Sequence, residues 1–267
     1  MPRRPWAGGR SFITRIAVNA EHQAAVTSPS QLVVTDLVVE RGGRTVIAGL
    51  SFEVYAGEAV VVTGPNGAGK TTLMRALAGF LAPKSGTIEL RHSASDVAGS
   101  TGDDPASIAE QAHVIGHLNG IKATLTVAEN MAFARNYLAS GRPPSGPSGT
   151  TSEDCIGAAL DQLGLGNLAG IPAGLLSAGQ KRRLCLGRLL VAQRQIWLLD
   201  EPTVSLDTLS TRLVATLVDQ HVTSGGIAII VTHVPLGLAA YRELELRTPT
   251  ATAVLAECAP IAPGTAI

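Results

Sequence analysis

Three stretches of the chain are almost continuously apolar and short: Ala59–Thr63, Ile196–Leu199 and Ile227–Val231. Runs of this length predict strands buried on both faces of a sheet. Leu32–Val39 and Ser51–Val54 also predict strands, with a turn at Arg41–Arg44, and His113–Ile115 is a further candidate. Elsewhere the apolar spacing is helical. Leu73 and Leu77 lie four apart, as do Met74 and Ala78, so Thr71–Gly79 predicts a helix stopped by Gly79 and Pro83. Ile156, Ala159, Leu160 and Leu163 fall at i, i+3, i+4 and i+7 within a mostly helical region from Val127 to Gln195. Thr208–His221 predicts another helix, and Glu243–Leu255 one or two short strands. Ser140–Ser152, rich in Gly, Pro, Ser and Thr, predicts a flexible surface loop.

Composition narrows the function classes. The 267 residues suffice for a sizeable core, and 45% of them are hydrophobic. Lys plus Arg and Asp plus Glu both total 21, so the formal net charge is zero, without the basic excess usual in a nucleic-acid binder. Aromatic residues at 3% are too few for base-stacking platforms. The longest apolar stretch, Gly226 to Leu238, contains Thr232, His233 and Pro235, and is too short and too polar to span a bilayer. Cys155, Cys185 and Cys258 are far apart and form no metal spacing, which suggests structural thiols in a reducing compartment. Residues 1–30 hold Arg3, Arg4, Arg10 and Arg15 before the first acid, Glu21. They fit either an organelle transit peptide or a disordered extension. The expected domain is 31–260, with 261–267 as a tail.

The strongest chemical motif is Gly64-Pro65-Asn66-Gly67-Ala68-Gly69-Lys70-Thr71, followed by Thr72. It lies between a buried strand and a helix, the context of a P-loop. Its glycines let successive N–H groups turn toward phosphate oxygens, and the helix start adds partial positive charge. Lys70 would reach the β- and γ-phosphates, and the Thr71 hydroxyl would ligate Mg²⁺. A second motif, Ile196-Trp197-Leu198-Leu199-Asp200-Glu201, ends a buried strand in two carboxylates. At the carboxyl end of a parallel strand these would face the ligand crevice. Asp200 suits Mg²⁺ through water, and Glu201 suits activation of an attacking water. Such an acidic pair by itself is usually a solvated loop.

Leu176-Ser177-Ala178-Gly179-Gln180, followed by Lys181-Arg182-Arg183, stands shortly before that acidic pair. It resembles the signature motif of ATP-binding-cassette (ABC) ATPases, usually LSGGQ. Ser205-Leu206-Asp207 stands where that family has its D-loop, and His233 where it has its switch histidine. The order matches from about Leu32 to Tyr241. The resemblance implies an α/β fold of the P-loop NTPase type. Its core sheet would be mostly parallel, with an antiparallel β part and a helical subdomain at about 118–194. It further implies ATP hydrolysis with Mg²⁺, His233 contacting the γ-phosphate, and Asp207 near the nucleotide. Two copies would sandwich two ATPs, with Ser177, Gly179 and Gln180 of one copy facing the P-loop of the other. Membrane subunits would be separate chains.

Ile115-Gly116-His117-Leu118-Asn119-Gly120-Ile121-Lys122, then Leu125-Thr126 and Glu129-Asn130, is similar to the ATPase subunits of the cytochrome c maturation haem exporter. So are Gly225-Gly226-Ile227 leading to Thr232-His233 and the short C-terminus after His233. This implies a peripheral place on the cytoplasmic face of a bacterial inner membrane. The implied partners are CcmB and CcmC, with CcmD and the haem chaperone CcmE. Haem export and release of haem-loaded chaperone both remain open. Two departures from the family pattern stand out. Arg41 occupies the place of the usual adenine-stacking aromatic, either stacking by its guanidinium plane or serving only as a turn residue. Counting back from Leu125, His117 falls where most cassettes carry a Mg²⁺-contacting Gln. It would supply that contact, through water rather than directly, or only pack at a strand end. A guanine-specific switch is disfavoured by the lack of an NKxD motif, and a non-catalytic cassette by intact Lys70, Asp200, Glu201 and His233. A soluble ABC ATPase or another exporter remains the alternative.

Overall fold

The computed structural model describes residues 29–92, 108–138 and 152–247. The expectations for residues 1–28, for most of Ser140–Ser152, for Cys258 and for the chain beyond 247 lie outside the described residues.

The elements run β1 (Pro29–Arg41), β2 (Arg44–Tyr55), β3 (Ala59–Thr63), α1 (Lys70–Leu77), β4 (Ser85–His92), α2 (Ile108–Gln111) and β5 (Ala112–Ile115). There follow α3 (Val127–Leu138), α4 (Ser152–Gln162), α5 (Ala178–Leu186), α6 (Arg188–Val191), β6 (Ile196–Asp200), α7 (Thr208–Thr223), β7 (Ile227–Val231) and β8 (Arg242–Glu245). Two single 3₁₀ turns, Gly166–Leu168 and Ala173–Leu175, link α4 to α5. Five strands form a parallel sheet in the order β5-β6-β7-β3-β8, and three form an antiparallel sheet in the order β2-β1-β4. The expected α/β class, with its parallel core and antiparallel part, is the one observed.

β6 and β7 are buried at every position, and β3 at all but its last. Their continuous apolar sequences follow from helices or a second sheet covering both faces. On one face Val60, Val62, Ile229, Leu198 and Leu73 and Leu77 of α1 pack against Leu32, Val34 and Val54 of the antiparallel sheet. On the other, Ala59, Ile230, Leu199 and Trp197 meet Leu186, Leu189, Val214 and Val218. A third cluster joins α3, the end of α4 and α5 through Val127, Met131, Leu160, Leu163 and Leu184. Each fully buried Leu, Ile or Val contributes roughly 1.5–3 kcal/mol relative to exposure.

Several boundaries differ from the sequence reading. β1 and β2 are longer than expected, because the pair carries register shifts that break a simple alternation. At the β1 irregularity Asp36 adopts φ 45° and its N–H donates to Ser51 Oγ at 2.8 Å. α1 ends at Leu77 rather than Gly79, and α7 continues to Thr223. β4 and α2 were not expected. β4 is an edge strand whose apolar residues Ile88 and Leu90 are only half-buried. Among the described residues, no helix is long and apolar enough to cross a membrane.

Candidate nucleotide site

Strand order brings the site together. β3 and β6 both border β7, so the loop after β3 and the acidic pair after β6 emerge at the same carboxyl edge. Gly64 leaves β3 at φ 133°, and a Cβ there would come to 2.2 Å from the carbonyl oxygen of Leu246, beside β8. Gly69 is the N-cap of α1 in a left-handed conformation, with no side-chain cap. The first N–H groups of α1 therefore keep no side-chain acceptor of their own, the condition for binding an anion.

Gly64, Pro65, Asn66, Gly67 and Ala68 form the loop, and Ala68 anchors it in the core. Lys70 is buried, and its Nζ donates to the carbonyls of Gly64 at 2.6 Å and Pro65 at 3.1 Å. The Thr71 hydroxyl donates to Asp200 Oδ2 at 2.9 Å, joining loop and acidic pair directly. A cleft of about 600 Å³ opens over these groups. Asn66, Gly67, Gly69, Lys70, Thr71 and Thr72 form its floor, and Asp200, Glu201, His117 and His233 stand along one side. Arg41 and Val46 close it at the β1–β2 hairpin.

The carboxylates are set for further partners. Asp200 Oδ1 and Glu201 Oε1 are buried without a hydrogen bond. A buried oxygen left unpaired costs about 1–3 kcal/mol or more. Asp200 with the Thr71 hydroxyl is a hard oxygen donor set, which fits Mg²⁺. His117 Nε2 lies 3.9 Å from Asp200 Oδ2, and His233 Nε2 lies 3.5 Å from Glu201 Oε1. Both rings are more than half exposed. Glu201 has φ 50°, left-handed for a non-glycine residue, with its N–H donating to Val231 O at 2.8 Å. Thr232 forms a tight turn with Val234 and so fixes the segment bearing His233.

The sequence-derived candidates thus divide. Lys70, Thr71, Thr72, Asp200, Glu201, His233, His117 and Arg41 share the cleft. Leu118, beside His117, points into solvent. Ser177, Gly179, Gln180 and Asp207 do not line it. Ser177 caps α5, its Oγ accepting from Gln180 N at 3.2 Å while Gln180 Oε1 accepts from Ser177 N at 2.8 Å. Asp207 caps α7, its Oδ1 accepting from Ser210 N at 2.7 Å, and hydrogen bonding to Ser210 holds its pKa below the ordinary aspartate value. The Ser177 and Asp207 segments touch: a Cβ on Gly179 would lie 3.0 Å from Ser205 O. Val46, Val204 and Arg182 were not singled out from sequence. Arg182 had a detectable signal, because it shares one helical stripe with Cys185, Leu186 and Leu189.

Residues 47–204 match the ABC transporter family model. The chain is 45% identical over 206 residues to the cytochrome c biogenesis ATP-binding export protein CcmA of Rhodopseudomonas palustris (strain BisB5), covering 77% of this chain and 92% of that one. It is likewise 45% identical to the CcmA of Nitrobacter winogradskyi, with the same coverage. Among solved structures, an ATP-binding subunit of an ABC transporter superposes with a TM-score of 0.65 at 21% identity, covering 80% of this chain and 87% of that one. With P-loop, acidic pair and capped Ser177 segment arranged as described, the chain belongs to the ATP-hydrolysing subunits of the ABC transporter family, among the relatives of the cytochrome c biogenesis protein CcmA.

Proposed function

We propose that the chain hydrolyses ATP to drive the haem-handling step of cytochrome c maturation. The observation that carries the chemistry is the convergence of Lys70, Thr71, Asp200, Glu201 and His233 on one cleft beside an uncapped helix start. The choice of process rests on the relatives' names and their near full-length match.

In this reading the N–H groups of Gly67, Gly69, Lys70, Thr71 and Thr72 receive the phosphates, and Lys70 exchanges its two carbonyl partners for phosphate oxygens. Thr71 and Asp200 would hold Mg²⁺, which would supply charge neutralisation for the phosphates. His117, 3.9 Å from Asp200 Oδ2, would add a polar contact there. Glu201 accepts the proton of the attacking water, and His233 orients the γ-phosphate beside it. Arg41 and Val46 flank the base, Arg41 presenting its guanidinium plane. Ser177, Gly179 and Gln180, together with Asp207, complete the site of a second copy. The membrane partners are integral subunits, CcmB and CcmC with CcmD and CcmE, and the chain sits peripherally on the cytoplasmic face of the inner membrane.

Deletion of the gene tests the process. Loss of c-type cytochromes with b-type ones intact is expected, with rescue by the wild-type gene and none by the Glu201→Gln form. Normal c-type cytochromes in the deletion strain overturn the assignment.

A further inference from the structure

Arg182 lies in the second turn of α5, five residues beyond Ser177 or about 7.5 Å along the axis. It is 3% exposed. A buried cation costs several kcal/mol unless its donors are matched. Here Nε donates to Pro202 O at 2.9 Å, Nη1 to Gly116 O at 2.7 Å and Asn119 Oδ1 at 3.1 Å, and Nη2 to Asp200 O at 3.3 Å and Glu201 O at 2.6 Å.

These five acceptors come from two segments that carry cleft residues. Gly116 and Asn119 bracket His117, and Asp200 and Glu201 are the acidic pair itself. The shortest of the five bonds goes to the carbonyl of Glu201, the residue with left-handed φ. That conformation costs a non-glycine residue about 1–3 kcal/mol and persists only where its surroundings fix it. The planar guanidinium fork can grip both segments at once, which a lysine ammonium cannot do in the same geometry. The short helix that presents Ser177 at one end thus holds the backbone of Glu201 one turn later.

On the reading of Glu201 as catalytic base, we propose that Arg182 is a positioning residue that fixes the Glu201 backbone against the His117 segment. It acts through Glu201 and not on nucleotide.

The test compares full-length wild type with Arg182→Gln, Arg182→Lys, Asn119→Ala and Glu201→Gln, and with the Arg182→Gln/Glu201→Gln double variant. Steady-state ATPase, fluorescent-nucleotide affinity and single-turnover hydrolysis are measured. Arg182→Gln should keep KM and nucleotide Kd within about threefold while kcat falls at least about tenfold. Arg182→Lys should recover part of that loss. Asn119→Ala, which removes one partly buried acceptor, should lose about two- to fivefold and serves with Arg182→Lys if Arg182→Gln does not fold. In the Glu201→Gln background, Arg182→Gln should add no further loss of single-turnover rate. Wild-type kcat in Arg182→Gln, a parallel fall in nucleotide binding, or a full additional loss in the double variant overturns the proposal. Normal hydrolysis by Glu201→Gln overturns the base assignment instead, and an inactive Glu201→Gln beside a fully active Arg182→Gln overturns only the positioning role.

Discussion

Two helix starts in this molecule follow polar loops and are finished in opposite ways. α1 begins at Gly69, left-handed and without a side-chain cap. α5 begins at Ser177 inside a reciprocal capping box with Gln180. The first leaves its N–H groups to a ligand, and the second satisfies its own. An uncapped start surrounded by a lysine and unpaired carboxylate oxygens has much to gain from a phosphate and a cation. A capped start holds its shape alone. Because Ser177 Oγ already accepts from Gln180 N, what it retains for a nucleotide is its hydroxyl hydrogen. On the proposed reading, the α1 start serves affinity and the α5 start completes a site already filled.

The largest effects should come at the α1 end. Lys70→Ala should weaken nucleotide binding at least about tenfold and abolish turnover, whereas Glu201→Gln should bind ATP normally and lose about 10²–10⁴ in kcat. Equilibrium binding beside steady-state hydrolysis separates the two. Equal binding losses in both variants would break the contrast.

Next comes the α5 end. Ser177→Ala should leave ATP affinity within about twofold and lower kcat about tenfold. Mixtures of Ser177→Ala with Lys70→Ala chains should then yield at most one working site per pair. No gain in activity over the separately measured variants would mean the two ends serve the same copy.

A third prediction concerns the strand that delivers the carboxylates. Trp197 of β6 lies beside His113 of β5 and under the ring of His221, stacked at 4.0 Å. Burial pushes both imidazoles down to about 4, against the hydrogen bonds they make to Ala192 O and Ile227 O. The unfolded chain, with ordinary values near 6.5, binds more protons between those limits. Stability from this pair is thus complete above about pH 6.5 and is lost as pH falls toward 4, on the order of a few kcal/mol. Urea midpoints at pH 7, 5.5 and 4.5 should decline, and His221→Gln should flatten the trend. If the decline is the same in that variant, the stacked ring is not its source.

The smallest effect isolates the cap. Gln180→Ala removes half of the box, and should cost about 1 kcal/mol of stability, read as a lower thermal midpoint. ATP affinity should not change.

How far the sequence foretold this picture depends on where each residue's partners lie. β3, β6 and β7 were readable because burial on both faces writes an unbroken apolar run. The P-loop and acidic pair were readable because their chemistry is local: six or eight adjacent residues suffice. β4 did carry a signal, the clean alternation of Thr87, Ile88, Glu89, Leu90 and Arg91, but with only two apolar positions it is short. The extent of β1 was hidden by its irregularity at Asp36. Arg182 left only the faint signal of its stripe with Cys185, Leu186 and Leu189, for a different reason. Its acceptors lie from 18 to 66 residues away in the chain. A charged residue in a helix is ordinarily solvated, so only the packed structure identifies this one as internal.

The contact between Gly179 and Ser205 also bears on how the pentapeptide can drift. Ala178 is the first helical residue of α5 and is exposed, so a methyl group is accommodated where related motifs carry glycine. At Gly179 the same methyl would press on a backbone carbonyl at 3.0 Å, within a turn whose Ser205 is itself left-handed. The two middle positions of the motif are therefore unequal. A methyl group enters the first without rearrangement, while at the second it obliges the Ser205 turn to give by a few tenths of an ångström.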